Sequence, residues 1–495
     1  MKRLTGFKSI LVALSVIASA TKPMSAAEQP DILLILADDL GWNDVGYHGS
    51  PIETPNIDRI AQKGIELNRF YAQPSCSPTR TALMTGKSPV SLGIYRPLDK
   101  NSENGVPLSE RMIPQYLAEL GYQSFVVGKW HLGHHKRAQL PNQRGFEHFY
   151  GSLTGGIGYW NKVHGGGYDL QRNGVTVRED GYVTHLLVEE VTRLIKSRDK
   201  NRPNFMYLAF QAPHLPNEAP ASTIKKYVGR FPDNEVRHIH AAMVDEMDKA
   251  IGDVLAVYEE EGMLENTIIL FMSDNGGLIP PGPPEARTGV ESFGVKLGEW
   301  FDRPLPIAGL EFIVSSVYDA GSDNSPLPGG KMKTAEGGVR VPAAMMWTSM
   351  IDPAVHELPM TASDVLPTLL EMVGGALDMT LDGQSQWLAL QGQTDKSIQP
   401  DYVTSGLLDS LAIYHWPWKL VTTDPVQLYD VIDDPLEETN LASSRPDMVK
   451  VLQEGLAQWD FAEDPGIPVF ELLTDPDVFG GVEDGRLPWA DAVVD

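Results

Sequence analysis

Four short apolar runs in this chain each end in polar residues suited to chemistry. Residues 32–37 run into Asp38-Asp39, and 124–127 into Gly128-Lys129-Trp130-His131. Residues 205–210 run into Gln211-Ala212-Pro213-His214, and 267–272 into Ser273-Asp274-Asn275-Gly276-Gly277. Singly, each has an ordinary explanation as a turn, because Asp, Asn and Gly bend the chain readily. Together they suggest more: open α/β sheets bind ligands beyond the carboxyl ends of their strands, so the four endings are expected to converge on one pocket. A fifth feature is the solitary cysteine, in Cys76-Ser77-Pro78-Thr79-Arg80. Pro78 suits the first turn of a helix, which puts Cys76 at a helix N-terminus, where free amides and the helix dipole favour an anion. Arg80 follows one turn on.

The elements that must position these residues alternate between strand and helix. Thr54-Pro55 opens a helix that Gly64 ends, and Ser109 opens another that Gly121 ends. Between His238 and Glu261, Ile239, Met243, Met247, Ile251, Val254, Leu255 and Tyr258 recur at helical spacing. The pattern predicts an α/β fold with a large, mainly parallel sheet flanked by helices.

The chain has 495 residues, 66 acidic and 40 basic, and a formal charge of −26. That length allows more than one domain, and 42% hydrophobic with 21% charged residues excludes disordered and fibrous classes. So acidic a chain, with no run of Lys or Arg, is not expected to bind nucleic acid or anionic membranes. One cysteine excludes an internal disulfide and a cysteine-cluster metal site. Lys2, Arg3 and Lys8 precede an apolar run at 10–20, and Ser25-Ala26-Ala27 offers a cleavage site before Glu28. Residues 1–27 therefore read as an export signal, too short to span a bilayer. The expectation is a periplasmic or secreted protein without a membrane anchor.

The stretch from Cys76 to Gly86-Lys87 resembles the signature of the formylglycine-dependent type I sulfatases of the alkaline phosphatase superfamily. In that family the Cys of C-x-P-x-R is oxidised after synthesis to an aldehyde. Thr79 stands where the family usually has Ser, and the C-x-P-x-R frame is intact. Further matches follow in family order: Ala37-Asp38-Asp39-Leu40-Gly41-Trp42, Thr54-Pro55-Asn56-Ile57-Asp58, Gly128-Lys129-Trp130-His131-Leu132-Gly133, Ala212-Pro213-His214 and Ser273-Asp274-Asn275-Gly276-Gly277. So do Gly330-Lys331 with Glu336-Gly337-Gly338-Val339-Arg340, Leu428-Tyr429-Asp430, Asp434-Pro435 and Asn440-Leu441. Leu40-Gly41-Trp42-Asn43-Asp44-Val45-Gly46 and Gln143-Arg144-Gly145-Phe146 are similar to the branch of arylsulfatase B, the N-acetylgalactosamine-4-sulfatase, and bacterial polysaccharide sulfatases.

The resemblance implies a smaller C-terminal α+β domain carrying a short antiparallel sheet. It also implies Ca²⁺, held by Asp38, Asp39, Asp274 and Asn275, whose oxygens suit a hard cation. A serine nucleophile would leave a sulfate ester that is hard to hydrolyse; a hydrated aldehyde from Cys76, made by a formylglycine-generating maturation enzyme, avoids that trap. The family roles fall on His131 as base, Asp274 in activating the attacking hydroxyl, and Arg80 and Lys129 in stabilising it. His214 and Lys331 would bind sulfate and protonate the leaving alcohol. Lys331 is preferred to Lys333 because it holds the family spacing to Glu336.

Substrate residues are sought in the glycine-rich stretch 155–168, where Tyr159, Trp160 and His164 suit sugar stacking and hydroxyl recognition. An insertion at 278–330, beginning near Pro280-Pro281-Gly282-Pro283-Pro284, is expected to wall the pocket or to form an oligomer contact. The expected organisation is a signal at 1–27, a catalytic domain at 28–380, and a C-terminal subdomain with an acidic tail at 381–495. The expected reaction is hydrolysis of an O-sulfate ester of a carbohydrate, galactose or N-acetylgalactosamine 4-sulfate in a sulfated polysaccharide or glycosaminoglycan oligosaccharide. The alternatives are a phosphonate or phosphate ester hydrolase on the same fold and a catalytically silent carbohydrate-binding protein.

Overall fold

Residues 31–37 read Asp-Ile-Leu-Leu-Ile-Leu-Ala, apolar toward both faces, as a strand covered on both sides by helices must be. In the computed structural model this strand is central to a ten-stranded sheet. The structure describes residues 29–99, 102–164, 167–231, 234–280, 318–393, 400–406, 410–464 and 489–495. The export signal expected at 1–27 and most of the expected insertion, residues 281–317, lie outside the described residues.

Along the chain the sheet comprises β1 (Asp31–Ala37), β2 (Ile65–Leu67), β3 (Gln123–Gly128), β4 (His148–Gly151), β5 (Gln171–Arg172), β6 (Val175–Thr176), β7 (Asn204–Ala209), β8 (Thr267–Ser273), β9 (Ala343–Met346) and β10 (Ala354–His356). Their spatial order is β10-β2-β9-β8-β1-β7-β3-β4-β5-β6. The middle five, β8, β1, β7, β3 and β4, run parallel. Antiparallel strands flank them, β9 beside β8 and β5 beside β4. Ala37 pairs with Ser273, Leu36 with Ala209, and Ala209 with Gly128. This register brings the four strand ends level, so the polar clusters that follow them emerge at one edge.

Successive residues of β1 feed two cores. Ile32, Leu34 and Leu36 pack in one with Leu83, Trp130 and Leu366; Leu33 and Ile35 pack in the other with Met243, Met247 and Ile251. The helices begin and end on local signals. Helix α1 (Pro55–Lys63) starts with Pro in its first turn and stops at Gly64. Its first amides are received by another element: Asp248 Oδ1 accepts from the backbone N–H of Asn56 at 3.0 Å and of Ile57 at 2.8 Å. The Cys76 segment forms α2 (Cys76–Thr85), closed by Gly86 at φ 67°, where the left-handed conformation favours glycine.

The helix expected from Ser109 to Gly121 is shorter, α3 (Ile113–Ala118). Its start is set by Met112, whose N–H donates to Gln115 Oε1, and its end tightens into i to i+3 turns at Glu119 and Leu120. Two longer helices, α4 (Val183–Ser197) and α5 (Glu235–Glu260), cover one face. The segment at 361–373 opens as a 3-10 turn and continues as α6 (Val365–Met372). Among the described residues no helix is long and apolar enough to cross a membrane.

The C-terminal part forms a separate antiparallel sheet of β11 (Tyr402–Ser405), β12 (Leu411–His415), β13 (Trp418–Val421) and β14 (Gln427–Asp430). Helix α7 (Pro446–Leu456) packs Val449 and Leu452 on its Ile413, Leu420 and Leu428 face. A buried ionic cluster joins this sheet to the short helical turn Glu336–Val339: Lys419 Nζ lies 2.6 Å from Glu437 Oε1 and 3.2 Å from Glu336 Oε1. Tyr71 donates its hydroxyl to Glu336 Oε2 at 2.8 Å.

Candidate active site

Helix α2 is buried at every one of its residues although half of them are polar. Each polar side chain has a specific partner. Thr79 Oγ1 accepts from the Gln73 N–H, Thr81 and Thr85 donate back to Ser77 and Thr81 carbonyls, and Ser77 donates to the His131 carbonyl at 3.0 Å. Arg80 fixes the centre, with Nε 3.0 Å and Nη2 2.8 Å from Asp274 Oδ2, and Nη1 3.0 Å from the Lys129 carbonyl. Pro78 costs no hydrogen bond, because the first amides of a helix have no partner within it. Thus Cys76, at the first turn, is held against the edge of the sheet where the strand ends emerge.

Around it the charged side chains interlock. Lys129 Nζ lies 2.6 Å from Asp38 Oδ2, Lys331 Nζ lies 2.8 Å from Asp39 Oδ2, and Cys76 Sγ donates to Asp38 Oδ1 at 3.5 Å. A carboxylate oxygen from each of Asp38 and Asp39, the Cys76 sulfur and a His214 ring nitrogen all lie within 4.8 Å of one another. Asn275 Nδ2 donates to Asp39 Oδ1 at 2.7 Å, and the Asp39 N–H donates to Asp274 Oδ1 at 3.3 Å. Gly128 allows the approach: its φ is 113°, and a side chain there would strike the Ala209 carbonyl, just where Lys129 N–H donates to that carbonyl at 2.8 Å.

The electrostatics follow from this crowding. Burial and the neighbouring Asp38 push Asp274 up to about 6. Burial would also raise Asp39, but Lys331 and His214 outweigh it and hold that carboxyl well below the usual range. Lys331 keeps its proton: burial works against the charge, and Asp39 and Asp38 prevail. Burial pushes the Cys76 thiol above its ordinary value despite Lys129 and Lys331, so the thiol itself is not an activated thiolate.

The residues present fit a hard divalent cation. Asn275 Oδ1 is buried with no hydrogen-bond partner, and it sits among carboxylates that repel one another. Oxygen donors of this kind suit Ca²⁺ or Mg²⁺ over softer metals.

The two histidines are held in defined states. His131 Nε2 faces the Leu98 carbonyl at 2.8 Å. A carbonyl only accepts, so Nε2 carries the proton and Nδ1 keeps a lone pair; Nδ1 is buried with no partner. Burial, then Lys129, lower His131 well below its ordinary value and keep it neutral. His214 Nδ1 donates to the Leu215 carbonyl at 2.7 Å, leaving Nε2 deprotonated 3.7 Å from Asp39 Oδ2. Burial, with Lys331 nearby, lowers it to about 3. Asp39 and His131 both hold positive φ, at 67° and 56°, a conformation that costs a side-chain-bearing residue roughly 1–2 kcal/mol. Strain of this kind clusters where geometry serves a site.

The structure brings Cys76, Arg80, Lys129, His131, His214 and Lys331 together with Asp38, Asp39, Asp274 and Asn275. The proposed sugar-contacting residues divide. Tyr159 is fully buried, stacked on Tyr182, and its hydroxyl donates to the His214 carbonyl at 2.9 Å, so its ring has no face to offer a sugar. Trp160 is exposed, and His164 is half-buried in a small ribbon. A small open cleft lies beside Asp39, lined by Pro213, Leu215, His240, Leu278 and Ser322. The described ends of the 278–330 insertion therefore contribute to its wall.

Sequence reasoning missed Ser77, which ties His131 to the Leu98 N–H, and Asp169, whose carboxylate accepts from the Leu153 and Thr154 N–H groups and sets the glycine-rich loop. A lone Ser or Asp carries no signal of such a role. Gly155 and Gly156 also matter, because a side chain at either would press on His131 or His214.

A ten-stranded sheet with this strand-end cluster and a small antiparallel sheet behind it has the architecture of a sulfuric ester hydrolase. The chain belongs to the sulfatase family, whose model, described as Sulfatase, matches residues 30–376. It is 29% identical to Arylsulfatase J of Mus musculus over 92% of this chain and 80% of that one. It is 30% identical to N-acetylgalactosamine-6-sulfatase of Canis lupus familiaris over 84% of this chain and 76% of that one. Among solved structures, Ps i-CgsB in complex with k-i-k-neocarrahexaose superposes with a TM-score of 0.75 at 29% identity, covering 91% of this chain and 97% of that one.

Proposed function

We propose that this chain hydrolyses a galactose or N-acetylgalactosamine 4-sulfate ester in a sulfated polysaccharide or glycosaminoglycan oligosaccharide, using a formylglycine hydrate made from Cys76 and a bound Ca²⁺. The observation that carries the reading is the meeting of Cys76 with Asp38, Asp39 and His214 within 4.8 Å, ringed by Lys129 and Lys331. The likeness to a structure in complex with k-i-k-neocarrahexaose supports a saccharide substrate. The relatives named N-acetylgalactosamine-6-sulfatase make the 6-sulfate the competing position.

Each residue then has a task. An aldehyde hydrate at position 76 would supply two hydroxyls, one to attack sulfur and one to let sulfate leave, and a divalent cation would supply charge for a sulfate oxygen. Asp38, Asp39, Asp274 and Asn275 hold the cation. Arg80 and Lys129 place positive charge beside the nucleophile, and Asp274, anchored by Arg80, helps orient and activate it. His131, neutral with a free Nδ1 lone pair, accepts the proton whose loss expels sulfate. Lys331, which keeps its proton, binds sulfate and is the group positioned to protonate the leaving alcohol. His214 accepts rather than donates at Nε2 in this state and serves sulfate binding only once it gains a proton. The sequence-based reading of residues 1–27 adds that the enzyme is exported, and a maturation enzyme must convert Cys76.

The test is a panel of defined 4- and 6-sulfated galactose and N-acetylgalactosamine oligosaccharides, run beside matched aryl sulfate and aryl phosphate esters. Release of sulfate from 4-sulfated sugars, with the Cys76 peptide carrying an aldehyde by mass spectrometry, is the expected result. Preference for the phosphate ester, or an unmodified thiol in active enzyme, would overturn it.

A further inference from the structure

The segment 489–495 lies well beyond residue 376, where the family match ends. It returns to the catalytic sheet and touches two loops that flank His131. One loop, 131–137, follows β3. There the Val494 N–H donates to the His135 carbonyl at 2.9 Å, and the Arg137 N–H donates to the Val494 carbonyl at 2.7 Å. The other is the glycine-rich stretch that ends in the ribbon of Val163–His164 and Gly167–Tyr168. Trp489 Nε1 donates to the His164 carbonyl at 2.9 Å, and a side chain at Gly167 would meet Trp489 Nε1 at 2.9 Å. The same indole lies edge-on to His134, with ring centroids 5.8 Å apart. One side chain thus bridges both loops.

What these loops carry gives the bridge its meaning. Gly155 and Gly156 lie so close over His131 and His214 that a Cβ there would come within 2.9 and 3.2 Å of the imidazoles. The ribbon is tied to that stretch: Gly158 N–H donates to the Val163 carbonyl at 3.1 Å and Lys162 N–H to the Gly158 carbonyl at 2.9 Å. Its far end is tied too, through Asp169 to Leu153 and Thr154. Exposed Trp160 stands on this unit. A displacement of the ribbon would therefore move both the glycines over the histidines and the exposed Trp160.

We infer that Trp489 is a positioning residue for the saccharide side of the site: by pinning the strands Val163–His164 and Gly167–Tyr168 to the 131–137 loop, it fixes the rim on which an extended sulfated saccharide rests. This rests on the saccharide reading given above. Hydrolysis of a small aryl ester needs the buried centre and little of the rim, whereas an oligosaccharide needs both. The test compares wild type with Trp489→Ala and Trp489→Phe, the latter keeping a ring but losing the donor to the His164 carbonyl. The first readout is backbone amide exchange over 132–137 and 155–168, expected to quicken severalfold in Trp489→Ala and less in Trp489→Phe. The second is kcat/KM for the sulfated oligosaccharide that the wild type cleaves fastest, expected to fall about tenfold, mainly through KM, while an aryl sulfate loses no more than threefold. Unchanged exchange in both stretches overturns the inference, as does an equal fall on both substrates. If the wild type cleaves no sulfated saccharide, the functional reading fails by itself, and the exchange measurement still decides whether Trp489 holds the rim.

Discussion

Two of the charge clusters buried among the described residues differ in how they treat the acceptors at their centres. At the junction with the C-terminal sheet, both oxygens of Glu336 are satisfied: Tyr71 donates to one at 2.8 Å, and Lys419 and Tyr414 reach the other at 3.2 and 3.4 Å. At the strand ends, Asn275 Oδ1 and His131 Nδ1 are equally buried and have no partner. A folded chain rarely leaves such atoms unpaired, because each costs about 1–3 kcal/mol. The junction uses its charges to hold the C-terminal sheet against the turn that carries Glu336. The strand ends leave these two acceptors open, where a ligand could use them.

That contrast can be broken or sharpened by measurement, beginning where the effect is largest. Cys76→Ala should lower sulfate-ester turnover by about 10⁵-fold or more while leaving the thermal transition in place. Residual activity near wild type would remove Cys76 from the reaction. His131→Gln should cost about 10²–10⁴ in kcat. Because the lone pair is that of a neutral imidazole, any acid limb assigned to His131 should lie well below pH 6.5.

Lys419→Met should act on the other cluster. Removing the cation leaves Glu336 and Glu437 facing each other while buried, a loss of about 3–5 kcal/mol in unfolding free energy, with kcat for the protein that remains folded little changed. A large fall in kcat without a fall in Tm would show that the junction belongs to the site. Stripping Ca²⁺ with a chelator should lower Tm, by the equivalent of about 2.7 kcal/mol if the ion had been present at 100 times its Kd, and readdition should restore it. A melting curve indifferent to the ion would contradict the assignment of Asn275. Smallest is Asp248→Ala, which removes the acceptor at the start of α1 and should cost about 1–2 kcal/mol in denaturant unfolding with no change in KM.

Much of the site was legible because its residues follow strands whose register is forced. Once β1, β3, β7 and β8 are parallel neighbours, Asp38, Lys129, His214 and Asp274 must leave the sheet at one edge. The Cys76 segment was legible for a related reason: a helix polar along half its length yet buried throughout needs a specific partner for every hydroxyl, so its residues are tightly specified. The orientation of His131 was not legible, since it depends on the main-chain carbonyl of Leu98, which any residue supplies. Nor could composition separate Tyr159 from Trp160, two neighbouring aromatics of which one braces His214 from beneath and the other faces solvent. Helix α3 is shorter than Ser109 and Gly121 predict because Gln115, by taking the Met112 N–H, starts it later.

The complete burial of α2 also bears on timing in the life of the protein. With Cys76 only 1% exposed, the folded chain leaves no room for the active site of a second enzyme around the thiol. Any enzyme that oxidises Cys76 must therefore meet it as a stretch of extended chain, before β1, β3 and β8 close over it. Folding would then seal in whichever side chain position 76 carries at that moment.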